Sequence, residues 1–487
     1  MDHTQAPVLD ALRRHHERGE IAFTPPGHKQ GRGADPEARA TLGDAVYHSD
    51  LLASGGLDDR RTSGEVLVRA ERLMADAVHA EHTYFTTCGS SLSVKAAMLA
   101  VAGPSEKLIV GRDAHKSVIS GLIVSGIEPV WVDPQWDEEQ CFAHAPGPEA
   151  FEEALTRHPD ARGALVTSPT PYGSCAALND IAEIFHARGL PVVVDEAWGA
   201  HLPFHPELPS WAMDAGADVC VTSIHKMGSG LEQGSVYHLQ GSRIEADTLR
   251  ARADLFGTTS PSVLIYAGLD AWRRQMVLHG KGLLDHALRL ASQVRAAVDE
   301  IPGLHVLGHD HLVGPGLSPD FDPLPVVIDV SGLGTSGYRA ADWLRGEHHL
   351  DMHLVDHRRI SAQLTHADST ATTQPLLDAL RDLAAHAAEP VDGRPVIDVP
   401  SGQDMRMEQT CRPRDAYFGP ARAVPLEHAA GCVSAEMITP YPPGIPAVLP
   451  GERLTEPVLR YLRTGLRAGM NLPDASDAEL RTVRVRV

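Results

Sequence analysis

The sequence predicts an α/β protein: a large domain on a mostly parallel sheet, followed by a smaller α+β C-terminal domain. Three observations carry this. Short, β-rich apolar runs alternate with helical stretches from Glu65 to Lys226. A long amphipathic stretch without strand signal, Leu269 to Ile301, leads out of that region, and a mixed pattern of strands and helices restarts after Gly303. With 43% hydrophobic and 22% charged residues over 487 positions, the composition is that of a folded chain.

Taken in order, Pro7 to Glu20 predicts a helix with Val8, Leu9 and Leu12 on one face. Thr24 to Gly64 is dense in Gly, Pro and Asp and predicts a long loop that serves a function or wraps another surface. Helices are expected at Val66–Val78, Ser91–Ala102, Ser117–Ser125, Asp180–Arg188 and Ser210–Ala215. Strands are expected at Lys107–Val110, Glu128–Val132, Gly163–Thr167, Pro191–Asp195 and Val219–Ser223. In the second part, Val326–Val330 and Leu350–Leu354 predict strands, Tyr338–Glu347 and Thr373–His386 helices, and Pro390–Gly402 a linker. Thr439-Pro-Tyr-Pro-Pro-Gly-Ile-Pro446 predicts an extended loop. The expected divisions are 1–64 (helix and interface loop), 65–302 (large domain), 303–395 (small α+β domain) and 396–487 (C-terminal segment).

Lys+Arg total 43 against Asp+Glu 64, a formal charge of −21, which argues against a nucleic-acid partner and for a small-molecule substrate. Cys88, Cys141, Cys175, Cys220, Cys411 and Cys432 form no CxxC pair, so neither a disulfide framework nor a zinc site is expected. The charged N-terminus has no apolar core and no apolar run is long enough for a bilayer, so a cytoplasmic protein without membrane contact is expected.

Three polar elements stand where chemistry collects in open α/β sheets, beyond strand carboxyl ends. Asp195 ends the run Pro191-Val-Val-Val194, and Lys226 follows the strand Val219–Ser223 through Ile224-His225. Gly89-Ser90-Ser91 opens a helix. Alone, Lys226 reads first as a solvent-exposed lysine, and Asp195 reads also as a helix cap before Ala197 and Gly89-Ser90-Ser91 as an ordinary Ser cap. Together they match one requirement: a partly desolvated amine for a Schiff base, a carboxylate for a pyridinium nitrogen, and amides and hydroxyls for a phosphate. That combination points to pyridoxal 5'-phosphate.

The runs Asp195-Glu-Ala-Trp-Gly-Ala-His201, Ser223-Ile-His-Lys226 and Gly111-Arg-Asp-Ala-His115-Lys-Ser117 resemble fold-type-I pyridoxal-phosphate enzymes. Three more resemble the bacterial ornithine/lysine/arginine decarboxylase family in particular: Thr24-Pro-Pro-Gly-His-Lys29, Ser331-Gly-Leu-Gly-Thr-Ser-Gly-Tyr338 and Ser434-Ala-Glu-Met-Ile-Thr-Pro-Tyr-Pro-Pro-Gly-Ile-Pro446. The resemblance spans nearly the whole chain and matches the short form, without the extra N-terminal wing domain. It implies that Lys226 carries the cofactor, Asp195 pairs with its ring nitrogen, Ala197 packs beneath the ring and His115 stacks on the other face. Gly89, Ser90 and Ser91 would bind the phosphate, with Ser223 and His225 close by. The chain departs from the family at Cys88 (often Asn), at Ile224 (often Thr) and at Thr170-Pro-Tyr-Gly173 (often Thr-Tyr-Asp-Gly), so Tyr172 is given no role.

The implied reaction is loss of CO2 from a basic amino acid, arginine before lysine before ornithine, because the protonated ring drains electrons from whichever bond stands perpendicular to it. Lys226 or His225 would then return a proton. Glu436 and Glu452 flank the proline-rich loop and suit a distal cation, or are ordinary surface glutamates; Trp198 is a third candidate for substrate contact. The Gly27-His28-Lys29 loop and Thr258-Thr-Ser-Pro-Ser262 are expected to reach the site of a partner in a homodimer. Rival readings keep the cofactor but transaminate or oxidatively deaminate arginine, or make the chain a silent homologue with a binding role.

Overall fold

The structure is a computed structural model that describes residues 1–57, 65–387 and 397–487. By internal packing it divides into two units, each assembled from two stretches of chain: Met1–Ala100 with Pro191–Gly282, and Val101–Leu190 with Leu283–Val487. The expected borders at 64 and 395, and the first part of the Pro390–Gly402 linker, lie outside the described residues. Residues 397–402 have neither helix nor strand.

In the first unit the strands lie in the order His82–Thr86, Ser235–Leu239, Val219–Ser223, Val192–Asp195. The last two run parallel, with Asp195 opposite Val221. Ser235–Leu239 runs antiparallel to both of its neighbours. His82–Thr86, Val219–Ser223 and Val192–Asp195 therefore all point their carboxyl ends to one edge. The valine runs are buried throughout, as strands covered on both faces must be. The N-terminal helix Pro7–Arg18 buries Val8, Ala11 and Leu12 and stops at Gly19 in the left-handed region (φ 62°). Its start is tied down by Asp270, which accepts the Val8 amide at 2.8 Å, and by the buried Arg273, which donates to the His3 carbonyl at 3.0 Å.

In the second unit Lys107–Gly111 lies between Glu128–Val132 and Ala164–Thr167, parallel to both. The helices Lys116–Ser125, Pro148–Arg157 and Leu178–His186 alternate with these strands. A separate antiparallel sheet has the order His305–Val306, Pro325–Asp329, Arg359–Gln363, Leu354–Val355, with helices Gly337–His348 and Thr370–Ala387. Ala421–Pro425 pairs with Thr482–Arg486 near the C-terminus. The predicted α/β class with mostly parallel strands and an α+β C-terminal part is the one observed.

Several elements differ from expectation. The Thr24–Gly64 tract holds two short helices, Pro36–Leu42 and Asp44–Ser49; Asp35 caps the first by accepting the Glu37 and Ala38 amides, both at 3.0 Å. Residues 58–64 of that tract lie outside the described ones. Ser210–Ala215 is a turn, closed by the Ala215 amide donating to Trp211 O, rather than a helix. The expected strand Leu350–Leu354 shrinks to Leu354–Val355. The strands His82–Thr86, Ser235–Leu239 and Arg359–Gln363 were not predicted. The proline-rich loop is not simply extended: it turns at 441–443 and is closed by a bridge between Ile438 and Val448.

Candidate active site

The converging strand ends of the first unit carry Lys226, Asp195, Ser223 and the Gly89-Ser90-Ser91 helix start. Lys226 stands on the one-turn helix Ile224–Met227 immediately after Val219–Ser223. Gly234 anchors that turn, its carbonyl accepting the Ile224 amide at 3.0 Å and facing His225 Nδ1 at 3.0 Å. Two glycines make the tight fold possible: a Cβ on Gly228 would come within 2.5 Å of Trp272 Nε1, and one on Gly230 within 3.0 Å of Ile224. Lys226 Nζ lies 3.8 Å from the centre of the Trp198 ring. Burial lowers the pKa of this amine to about 8, with the Asp195 and Glu232 carboxylates pulling the other way.

Asp195 is 5% exposed and accepts the Ala197 amide at 3.3 Å. Burial raises its pKa, while Lys226 and that amide lower it. The next residue, Glu196, is completely buried and of a different character. It accepts the Cys220 thiol at 3.1 Å and the Ala212 amide at 3.3 Å, and burial pushes both Glu196 and Cys220 well up in pKa. Burial thus favours the protonated form of Glu196, and Asp195 is the one of the pair that faces a cation. Sequence reasoning missed Glu196, Cys220 and Glu232. The adjacency of Glu196 to Asp195 was the only available signal.

At the third strand end, Ser223 Oγ donates to Ser90 Oγ at 2.7 Å, at the first residue of the helix Ser90–Val101. Gly89 precedes it with φ 74°, a conformation that favours glycine, and donates to the Gln233 carbonyl at 3.0 Å. Ser91 lies in the same first turn. The result is a hydroxyl pair at a helix N-terminus, the arrangement that suits a phosphate.

The other predicted residues belong to the second unit. His115 caps the helix Lys116–Ser125, its Nδ1 accepting the Ser117 amide at 3.2 Å. The Lys116 amide donates to the Gly444 carbonyl at 3.0 Å, so the proline-rich loop rests on this helix start. A Cβ on Gly444 would stand 2.9 Å from His115 Nε2. Glu436 and Glu452 are not the open carboxylates that a distal substrate cation needs. Glu452 is paired with Arg112 at 3.1 and 3.2 Å, and Glu436 accepts the Ser476 and Arg484 amides at 2.7 and 2.6 Å. Tyr172 donates to Asp356 at 2.8 Å.

The comparisons with known proteins bear on the same motifs. The model of the Orn/Lys/Arg decarboxylase major domain matches residues 6–315, and that of the family's C-terminal domain matches 402–476. The chain belongs to this decarboxylase family. An arginine decarboxylase of Halalkalibacterium halodurans is 37% identical over 99% of this chain and 97% of its own. One of Bacillus subtilis is 35% identical over 100% and 98%. Among solved structures, the Francisella novicida lysine decarboxylase LdcF superposes with a TM-score of 0.81 at 19% identity, over 99% of this chain and 81% of that one. Family membership makes the protein an amino-acid decarboxylase acting on basic substrates.

Proposed function

We propose that the chain decarboxylates L-arginine to agmatine and CO2, with pyridoxal 5'-phosphate held at Lys226. The observation that carries this reading is the first unit's donor set: an amine of lowered pKa over an indole, a buried carboxylate within its field, and paired hydroxyls at a helix start. This set fits the cofactor's aldehyde, ring nitrogen and phosphate in turn. When bound, the group supplies an electron sink for the bond being broken.

The chain's own residues do the rest. Lys226, with its pKa near 8, presents a substantial neutral fraction to an aldehyde at physiological pH. Asp195 would keep a proton on the ring nitrogen by charge pairing. Ser90 and Ser223 hydroxyls, with the first amides of the helix, would take the phosphate, and Ala197 would pack against the ring. Replacing a carboxylate by hydrogen consumes one proton, delivered by Lys226 Nζ or by His225. His225 Nε2 lies 3.8 Å from Glu232. Trp198 confines the amine that must leave and return. Likeness over nearly the whole chain, at 35–37% identity, to proteins named arginine decarboxylases supports arginine over lysine.

We also propose a homodimer, supported by the exposure of Phe23 (92%) and Ile21 (73%) beside the Thr24–Lys29 motif. The division at 1–64, 65–302, 303–395 and 396–487 and a cytoplasmic location belong to the same proposal. Among the described residues no helix is long and apolar enough to cross a membrane. The decisive assay incubates the protein with arginine, lysine and ornithine separately and follows CO2 and amine by mass spectrometry. Agmatine with CO2 is expected; a keto acid retaining its carboxylate would replace this reading with transamination or oxidation.

A further inference from the structure

We propose that Glu196 is a positioning residue: its buried carboxyl locks the Asp195–Gly199 turn to the strand that leads to Lys226, and so sets the cofactor's acid against its amine. This deepens the reading above and rests on pyridoxal 5'-phosphate being held at Lys226.

Asp195, Ala197 and Trp198, the three residues assigned to the ring and the amine, follow one another at the end of the strand Val192–Asp195. Asp195 does not hold this turn by its own side chain. Among the described residues, the only hydrogen bond to its carboxylate comes from the Ala197 amide, at 3.3 Å. Glu196 lies between them and is completely buried. Its amide donates to the Val221 carbonyl at 2.9 Å, and its carbonyl accepts the Gly199 amide at 2.8 Å. Its Oε2 accepts the Cys220 thiol at 3.1 Å and the Ala212 amide at 3.3 Å. Cys220 stands opposite Val194 in the parallel ladder, on the strand that Lys226 follows. One residue therefore ties the turn to Val219–Ser223 at two successive positions, Cys220 and Val221. Gly199 closes over the same side chain, since a Cβ there would stand 2.4 Å from Glu196 Cγ.

Filling this space does not need a carboxyl. Glu196 Oε1 is buried without a hydrogen-bond partner, so the group is kept at a cost in solvation. An unbranched apolar side chain would avoid that cost and would lose the two directed bonds from Cys220 and Ala212. Those bonds are what the carboxyl supplies, and they fix the angle at which the turn leaves the strand.

The test compares Glu196→Met, which fills the space without the bonds, with Glu196→Gln, which keeps an acceptor, in the full-length protein. Three quantities are read: circular dichroism of the bound cofactor per mole, kcat at saturating cofactor, and the pH midpoint of pyridoxal-phosphate capture by the cofactor-free protein. Glu196→Gln is expected to stay within about twofold of wild type in the first two, with the same midpoint. Glu196→Met is expected to lose about half of the dichroism and about tenfold in kcat. Its capture midpoint should fall by about half a unit, because Asp195 no longer helps to keep the proton on Lys226. Should Glu196→Met misfold, Cys220→Ala is expected to move the same three readouts in the same direction, and Cys220→Ser to restore them. Wild-type values in Glu196→Met, or equal losses in Glu196→Gln, would overturn the positioning role and leave the cofactor assignment standing. A wild-type protein that forms no borohydride-reducible adduct at Lys226 would overturn that assignment, and this proposal with it.

Discussion

Lys226 works by a compromise between burial and charge. Burial lowers its pKa, and Asp195 and Glu232 hold it near 8 rather than lower. The neutral amine is the form that captures an aldehyde, and it increases as pH rises through 8. Capture of pyridoxal phosphate by the cofactor-free protein should therefore run about tenfold faster at pH 9 than at pH 7. Stopped-flow absorbance checks this, and a flat profile would remove Lys226 from the role. Lys226→Ala should lose the borohydride-reducible adduct and at least about a thousandfold of activity. Glu196 makes a contrasting prediction. Because burial favours its protonated form, Glu196→Gln should change stability by less than about 1 kcal/mol, whereas Glu196→Ala strands the Ala212 amide and should cost about 2–3 kcal/mol. Urea unfolding separates the two. Lys226, Asp195, Ser90 and Ser223 were readable because each follows a strand or opens a helix. Cys220 was not, since only strand pairing sets it against Glu196.

Elements were readable where one physical signal dominated. Continuous valine runs marked Val192–Asp195 and Val219–Ser223. His82–Thr86 and Ser235–Leu239 escaped because buried polar residues break their apolar pattern. His238 is one: it pairs with Thr83 at 2.8 Å, and burial lowers its pKa to about 3. The Ser210–Ala215 turn has helical composition, but Trp211 leaves the pattern to donate its indole N–H to Val78 O at 2.9 Å. At the one-turn helix carrying Lys226, the close approach of Trp272 to Gly228 is decisive. Gly228→Ala drives a Cβ into a rigid indole and the Ile224 carbonyl, so it should cost about 1–3 kcal/mol and slow cofactor loading as the turn shifts. Denaturation midpoints and loading kinetics test this together; an unchanged loading rate would mean that the turn does not position the amine.

At the scale of the whole molecule, distant motifs are tied by buried charge. Arg112 and Glu452, far apart in sequence, form a largely buried pair, and Arg112 also donates to Pro446 O at 2.9 Å. Arg112→Met leaves Glu452 uncompensated and should cost about 3–5 kcal/mol at pH 7. Burial already raises the Glu452 pKa. A folded-state pKa above the unfolded value means that the folded form binds the extra proton, so stability falls as pH rises. The variant should therefore recover part of its loss at pH 5, and Glu452→Gln in the same chain should recover it at pH 7. Urea midpoints at the two pH values decide; no recovery would mean that the pair is not what links the loop to the strand end.

From the residues alone came the α/β class, the family, and the amine, acid and helix start of the first unit, because periodicity and local order are properties of short stretches of chain. Only tertiary structure decided which carboxylates remain open. Glu436 and Glu452 look available in sequence and are closed by partners that folding brings from elsewhere, while burial pushes Glu196 toward its protonated form. Charge and solvation depend on neighbours in space, and no window of sequence contains them.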